Sequence, residues 1–123
     1  MDFKELLAYK KSFELAMEIF ELSKTFPKEE KFSLTDQIRR SSRSVSANIA
    51  ESYRKRRYPN HFISKLTDSD AENSETNTWL EFSLECQYIT KETFEKLNIK
   101  SLEIGRLINY MINNPNKFGC EKN

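Results

Sequence analysis

Seven basic side chains in one stretch are the residues of this sequence whose types and spacing best suit a chemical task. They lie between Thr35 and Tyr58 with only two acidic residues, Asp36 and Glu51, so this segment carries a net charge of +5. These residues, called here the basic residues, are Arg39, Arg40, Arg43, Arg54, Lys55, Arg56 and Arg57. Arginine presents a planar fork of donors that fits a phosphate group. A row of such cations is typical of a surface that binds RNA or DNA.

The next segment of the chain carries the opposite charge. Between His61 and Tyr88 there are six acidic residues and one basic residue, a net charge of −5. These acids could neutralise the basic residues within one chain or between subunits, and an acidic protein could also bind the basic residues. Residues 54–57 lie near a predicted helix end, so we expect them to be freer than Arg39 or Arg40. Three interpretations therefore stay open: nucleic acid, internal salt bridges and an acidic protein partner.

Catalytic chemistry has little support in the sequence. Arg56 and the single histidine, His61, have an Arg-x4-His spacing that resembles the motif of some helical-bundle ribonucleases, which leaves RNA cleavage as a distant alternative. A di-iron site needs two Glu-x-x-His motifs, and one histidine cannot supply them. The only glycines, Gly105 and Gly119, provide no phosphate-binding loop. We therefore predict no enzyme activity, catalytic residue, metal, cofactor or small-molecule substrate.

Four amphipathic helices must position these residues. Apolar side chains recur every three or four positions, which predicts helices over about residues 3–24, 35–57, 59–88 and 91–113. No alternation typical of strands occurs, and short connections favour antiparallel neighbours. The expected fold is all-α, an antiparallel up-and-down four-helix bundle over residues 1–113. A polar, frayed tail is expected over residues 114–123. Asp2 with Glu5 resembles a capping box, and Thr90 is expected to cap the fourth helix.

Some apolar side chains are candidates for contacts between subunits. The first helix carries two apolar stripes, one through Tyr9, Phe13 and Met17 and another through Leu15 and Ile19. The second stripe could pack inside the bundle or against another subunit. The tentative interface residues are Leu15, Ile19, Leu22, Trp79 and Phe82. The third helix is polar in its middle, so we also expect a buried polar layer satisfied by serines of the second helix, arginines or water.

Composition limits the broad class of protein. The chain has 123 residues, of which 37% are hydrophobic and 32% charged, and its net charge is +1. This size indicates one domain with a thin core, which can gain from burial between subunits. The two cysteines lack metal-type spacing and no signal peptide precedes Phe3, so a cytoplasmic location is expected. No apolar run is long enough to span a membrane.

Several motifs together resemble the four-helix-bundle protein family, also called the 23S rRNA intervening-sequence protein family. The most specific block runs Leu34-Thr35-Asp36-Gln37-Ile38-Arg39-Arg40-Ser41, followed by Asn48-Ile49-Ala50-Glu51. Softer matches are Phe26-Pro27-Lys28-Glu29-Glu30, Phe62-Ile63-Ser64-Lys65-Leu66, Glu75-Thr76-Asn77-Thr78-Trp79-Leu80 and Glu103-Ile104-Gly105-Arg106. The resemblance departs at Ser52, where the family usually has glycine.

The resemblance implies a four-helix bundle that assembles as a ring, often a homopentamer. Related bundles are nucleic-acid-binding accessory subunits of diversity-generating retroelements, although the wider family is mostly of unknown function. We therefore expect a non-enzymatic oligomeric scaffold that binds RNA or DNA through the basic residues. The alternative is a purely structural or protein-interaction module whose charges hold subunits together.

Overall fold

The computed structural model describes residues 2–120, which form four long α-helices joined by short connections. The helices are α1 (Leu7–Ser23), α2 (Leu34–Arg54), α3 (Pro59–Glu85) and α4 (Lys91–Asn113). Three short 3-10 segments accompany them, at Phe3–Glu5, Lys28–Glu30 and Pro115–Phe118. No strand occurs within these described residues, which confirms the predicted all-α fold. None of the described helices is long and apolar enough to cross a membrane.

Neighbouring helices run antiparallel, because rising residue numbers on one helix meet falling numbers on the next. The Oγ atoms of Ser12 and Ser46 lie 2.9 Å apart, and Arg39 Nε donates to Ser23 Oγ at 2.7 Å. The same order joins α2 to α3 (Ser41 to Thr76, Val45 to Ser69), α3 to α4 (Asp70 to Asn109, Asn73 to Ser101) and α4 to α1 (Glu103 to Lys11, Lys100 to Glu18). The arrangement has two ends. The basic end holds the α2–α3 turn, and the opposite end holds the α1–α2 and α3–α4 connections.

The inward side of α1 differs from one expectation. Leu15 and Ile19 are only 3% and 0% exposed and lie in the core of the single chain, whereas Phe13 and Met17 are 50% and 46% exposed. The prediction that Leu15 and Ile19 lie between subunits is therefore wrong. Ser12 of α1 contacts Ser46 of α2 and therefore lies on the inward side of α1. Leu15 and Ile19 follow Ser12 at helical spacing and lie on the same side.

A buried polar layer crosses the middle of the bundle, as predicted. Its side chains come mainly from α3 and bond a serine and a backbone carbonyl of α2 and a backbone carbonyl of α4. The hydrogen bonds are Ser69 Oγ to the Val45 carbonyl (2.8 Å), Thr76 Oγ1 to Ser41 Oγ (2.9 Å) and Asn73 Nδ2 to the Ser101 carbonyl (2.9 Å). Asp70 and Asn77, two further polar residues in the middle of α3, are only half-buried and line a groove beside α4.

The helix ends follow the sequence in part. Thr90 Oγ1 accepts the Thr93 N–H at 3.1 Å, which confirms the predicted cap of α4. Asp2 makes no side-chain cap, so the predicted capping box at the first helix is wrong. The second helix ends three residues earlier than expected and the third also ends earlier.

The tail is packed rather than frayed over residues 114–120. Pro115–Phe118 form a 3-10 turn, the Phe118 side chain packs against the core, and Cys120 is 8% exposed. The expectation of a frayed tail is therefore wrong for these residues, and its last three positions, 121–123, lie outside the described residues. The packed tail matters because it covers part of the basic end.

Candidate nucleic-acid interface

The outward side of α2 carries most of its charge. Apolar and small side chains fill the inward side, so the positions that follow each other at steps of three and four on the other side remain in solvent. The exposed residues of this stripe are Asp36, Arg40, Arg43, Ala47, Glu51 and Arg54. A shallow groove of about 440 Å³ runs along its first half. The small Ala47 side chain leaves the middle of the helix open between its charged halves.

Two of the arginines on the first half of α2 are held against α1. The guanidinium carbons of Arg39 and Arg43 lie 4.8 Å and 5.5 Å from the centre of the Phe20 ring. Arg39 also donates to Ser23 Oγ, as described above. These cation–π contacts cover the Phe20 ring and reduce the freedom of the two side chains while leaving their charge in place.

The acids of α3 neutralise few of the basic residues within one chain. Arg40 Nη2 lies 4.0 Å from Glu75 Oε1, at the limit of an ion pair. The closer pair between these helices, Lys65 with Glu51 at 2.9 Å, has the opposite polarity. In the described part of the chain the other six basic residues form no ion pair. Internal salt bridges therefore account for one of the seven basic residues.

The turn after α2 holds a compact group of exposed cations. Arg54, Lys55 and Arg57, called here the turn cluster, are all exposed, as expected for residues near a helix end. They have no carboxylate partner among residues 2–120, so their charges repel one another without compensation. The turn itself is fixed by the Lys55 N–H, which donates to the Ser52 carbonyl at 2.9 Å.

Arg56 differs from its neighbours, although residues 54–57 were all expected to be freer than Arg39 or Arg40. Its Nε donates to the Tyr53 carbonyl at 2.8 Å, its Nη1 to the Phe118 carbonyl at 3.4 Å, and its guanidinium carbon lies 3.6 Å from the centre of the Tyr53 ring. Arg56 therefore ties the end of α2 to the tail. Gly119 makes this possible, because a Cβ added there would lie 2.7 Å from Arg56 Nη1.

The distant ribonuclease alternative gains no geometric support. Arg56 turns towards the tail, whereas the exposed His61 ring contacts the Tyr58 ring, and no contact in the described chain joins Arg56 to His61. No group of three His, Cys, Asp or Glu side chains that could hold a metal ion occurs among residues 2–120.

Glu72 on α3 is the acidic residue with the most unusual surroundings. Its Oε2 atom is buried and has no hydrogen-bond partner within the described residues. Burial raises the pKa of the Glu72 carboxyl, the nearby Glu75 raises it further, and Arg40 lowers it. A carboxyl in these surroundings would gain from a further cation.

The remaining interface candidates are partly exposed. Trp79 is half-buried, Phe82 is 53% exposed and their ring centres lie 5.8 Å apart, while Leu22 is half-buried against the core. Trp79 Nε1 donates to Glu75 Oε1 at 3.3 Å. Together with the exposed Phe13, these rings give the chain apolar surface on both α1 and α3.

Two features of the basic end were missed in the sequence. One is the contact between the Tyr58 and His61 rings beside the turn cluster; their spacing of three residues at a helix start was an available signal. The other is the packing of the tail on Arg56, which joins residues 62 positions apart and has no local signal.

Comparisons with known proteins agree with the fold. A family model described as 23S rRNA-intervening sequence protein matches residues 4–110. Among solved structures, the chain is similar to a protein with unknown function from the S23 ribosomal protein family of Bacteroides thetaiotaomicron VPI-5482, with a TM-score of 0.79. The two are 37% identical, and the match covers 87% of this chain and 96% of that chain. A comparison with curated proteins gave no match.

Proposed function

The chain belongs to the 23S rRNA-intervening sequence protein family, and we propose that it is a non-enzymatic, ring-forming scaffold that binds nucleic acid through the basic residues of α2 and its following turn. The family description names where such sequences occur and states no activity, and the similar Bacteroides protein is itself of unknown function. The proposal therefore depends on the charges of this chain.

The observation that carries the proposal is the uncompensated turn cluster. Arg54, Lys55 and Arg57 place three exposed cations within four residues, with no carboxylate partner in residues 2–120. Like charges this close favour a polyanion, because each phosphate neutralises a cation and releases counterions from the nucleic acid. Arg40 and Arg43 add two cations on the first half of the same side of α2, beyond Ala47 and Glu51, so a strand of several nucleotides would find further contacts.

Assembly with further copies of the chain is the second part of the proposal. The exposed Phe82 beside Trp79, and the exposed Phe13 and Met17 on α1, leave apolar area that a neighbouring copy would bury. Charge favours the same partner, because Arg40 with Glu75 is the one ion pair between a basic residue of α2 and an acid of α3 within the described chain, which leaves most of both sets for another copy. A homopentamer, the assembly that the family resemblance implies, would have five times the chain mass of 14.6 kDa.

A purely structural or protein-interaction module is the alternative that one observation favours. The buried, unbonded Oε2 of Glu72 would gain a partner if an arginine of another copy reached it. In that case the basic residues hold subunits together and nucleic acid would compete with assembly. Light scattering after gel filtration separates the two, since charge-driven assembly dissociates with salt whereas assembly through Trp79 and Phe82 persists.

The direct test is a salt titration of RNA binding. A labelled RNA with duplex and single-stranded parts is titrated with the protein between 50 and 300 mM salt, on the order of the range where counterion release is measurable. The Arg54→Gln, Lys55→Gln, Arg57→Gln triple variant should lower the affinity and reduce the slope of log affinity against log salt by about 2 to 3.

A matched control removes the same charge from the opposite end. Lys28, Lys91 and Lys96 are exposed and make no ion pair within the described chain, so changing all three to glutamine alters net charge equally. We expect this control to keep the wild-type slope. Absence of RNA binding at 50 mM salt, or equal losses in the two triple variants, would refute a nucleic-acid role for the turn cluster.

A further inference from the structure

Tyr58 and His61 form an exposed ring pair beside the turn cluster. Tyr58 is 58% exposed, His61 is exposed, and their ring centres lie 5.7 Å apart with the planes tilted by 41°. Neither side chain makes a hydrogen bond within the described residues. Two adjacent rings in solvent, without a hydrogen-bond partner in the described chain, present ring faces to which a further flat group could bind.

The helix does not explain why residue 58 is a tyrosine. Tyr58 occupies the N-cap of α3, a position where Ser, Thr, Asp or Asn would bond a free N–H of the first turn. Its side chain makes no such bond. The backbone of Tyr58 has a structural role, because its carbonyl accepts the N–H groups of His61 and Phe62 at 2.8 and 3.0 Å, but any residue supplies a carbonyl. A residue type that breaks a local rule without a structural gain points to a function.

The backbone holds the rings next to the cations. The Tyr58 N–H donates to the Lys55 carbonyl at 2.9 Å, so the turn folds the ring-bearing residue back onto the turn cluster. Arg57 immediately precedes Tyr58 in the chain. A ligand that carries negative charge and flat rings at nucleotide spacing therefore meets both groups at once.

From this juxtaposition we infer that Tyr58 and His61 stack a base of single-stranded RNA or DNA whose phosphates are held by Arg54, Lys55 and Arg57. The inference rests on the proposed nucleic-acid binding and specifies its substrate. Bases of a single strand can leave their neighbours and stack on a protein ring, whereas bases within a duplex are covered on both faces. An acidic peptide would engage the cations and leave the rings unused.

The test compares a single strand with a duplex of the same length. Binding of oligouridylate, oligothymidylate and a blunt RNA duplex is measured for the wild type and for Tyr58→Leu, which removes the ring but no charge. We expect Tyr58→Leu to weaken single-strand binding about 5- to 150-fold at every salt concentration, with an unchanged salt slope, and to leave duplex binding as it was. The uridylate and thymidylate arms show whether RNA or DNA is preferred.

Controls separate stacking from stability. Tyr58→Phe keeps the ring and should retain wild-type binding. Phe32→Leu removes an 87% exposed ring at the opposite end and should change nothing. Fluorescence of a 2-aminopurine placed within the strand should be quenched by the wild type and by Tyr58→Phe but not by Tyr58→Leu. Circular dichroism melting confirms that the variants are folded.

The outcomes distinguish this inference from the function on which it rests. If the wild type binds both nucleic acids with a steep salt slope and Tyr58→Leu binds equally well, the stacking surface is refuted while nucleic-acid binding stands. If the wild type binds only an acidic peptide, or neither strand nor duplex at low salt, both proposals fail. Selective loss of single-strand binding in Tyr58→Leu supports the inference.

Discussion

The connections at the two ends of the bundle differ in how far their side chains bond one another. At the opposite end, Glu30 accepts hydrogen bonds from the Tyr88 hydroxyl at 2.8 Å and the Ser33 hydroxyl at 2.6 Å. The Tyr88 ring also lies 5.5 Å from the Phe26 ring, so the α1–α2 connection is joined to the α3–α4 connection. At the basic end, the turn cluster and the Tyr58–His61 rings have no hydrogen-bonded side-chain partner of this kind within residues 2–120.

This difference indicates which end is available for binding. Side chains that already bond one another have few free groups left, so a ligand adds little to their interactions. Unpaired cations and exposed rings gain more on binding, because a ligand supplies interactions that the chain does not. A long-range hydrogen bond at the basic end joins Arg56 to the tail, and it leaves Arg54, Lys55 and Arg57 in solvent.

The largest expected effect on stability comes from a substitution at Gly119, where Arg56 contacts the tail. Its φ of +92° is a left-handed conformation, and an alanine Cβ would lie 2.7 Å from Arg56 Nη1. Gly119→Ala should lower the free energy of unfolding by about 1 to 2 kcal/mol, measured by urea denaturation. The control is Gly105→Ala, whose Cβ meets Asn73 Nδ2 at an ordinary 3.5 Å within a helix, and it should be neutral or stabilising by up to about 1 kcal/mol.

The same variants can be followed through a thiol. Cys120 is 8% exposed, and burial raises the pKa of its thiol although Arg56 opposes the shift. In a Cys86→Ser background, Gly119→Ala should make Cys120 react faster with a thiol reagent, since the tail loosens. An unchanged reaction rate together with unchanged stability would mean that the tail does not depend on Gly119.

The next effect concerns the caps at the two ends. Thr90 caps α4 at the opposite end, and Thr90→Ala should cost about 1 kcal/mol. Tyr58 leaves α3 without a side-chain cap, so Tyr58→Ser should stabilise the fold by about 0.5 kcal/mol while weakening single-strand binding. Thermal unfolding and the oligonucleotide titration measure the two properties. A serine variant that loses stability would show that the tyrosine ring supports the turn itself.

The smallest effect is a change in the acid dependence of stability. The hydrogen bonds from Ser33 and Tyr88 lower the pKa of Glu30 below its ordinary 4.5. A carboxyl with a lowered folded pKa stabilises the fold above its unfolded pKa, and this contribution is lost as the pH falls through the folded pKa. Tyr88→Phe removes one of these bonds, so stability should fall less steeply below about pH 4.5, as measured by urea midpoints across pH.

The alkaline side and a matched variant complete this test. The bond to Glu30 raises the pKa of Tyr88 to about 12, so its contribution is present below the ordinary value of 10 and is lost as the pH rises through 12. Tyr58→Phe removes a hydroxyl that makes no hydrogen bond in the described chain. That variant should leave the pH profile unchanged, and equal profiles for the two phenylalanine variants would contradict the difference between the ends.

The sequence predicted the fold because local signals agreed with it. The range of α4 follows from Thr90 before it and Pro115 after it, and residues 91–113 were predicted as found. On α1 both stripes are apolar, so periodicity alone could not decide which one turns inward. The contact of Ser12 with Ser46 identifies the inward side, and it depends on the position of α2.

The candidate site was predictable only as far as charge is visible in the sequence. The basic residues were identified from their spacing, but their surroundings come from long-range contacts. Arg39 is held by Ser23, and Arg56 by Phe118 across 62 residues. Position near a helix end separated Arg39 from Arg54 and Arg57, but no local signal contains the contact of Arg56 with Phe118, so the sequence could not separate Arg56 from its neighbours.

The hydroxyl and amide groups in the middle of the bundle limit how the helices can slide past one another. Ser69, Asn73 and Thr76 each bond one particular partner on α2 or α4. If α3 slid along its neighbours by one turn, about 5.4 Å, all three polar groups would lose these partners. Leucine in these places would tolerate such a shift. These hydrogen bonds therefore keep α3 in a single register against its neighbours. They also fix where each surface residue of α3 lies along the bundle axis.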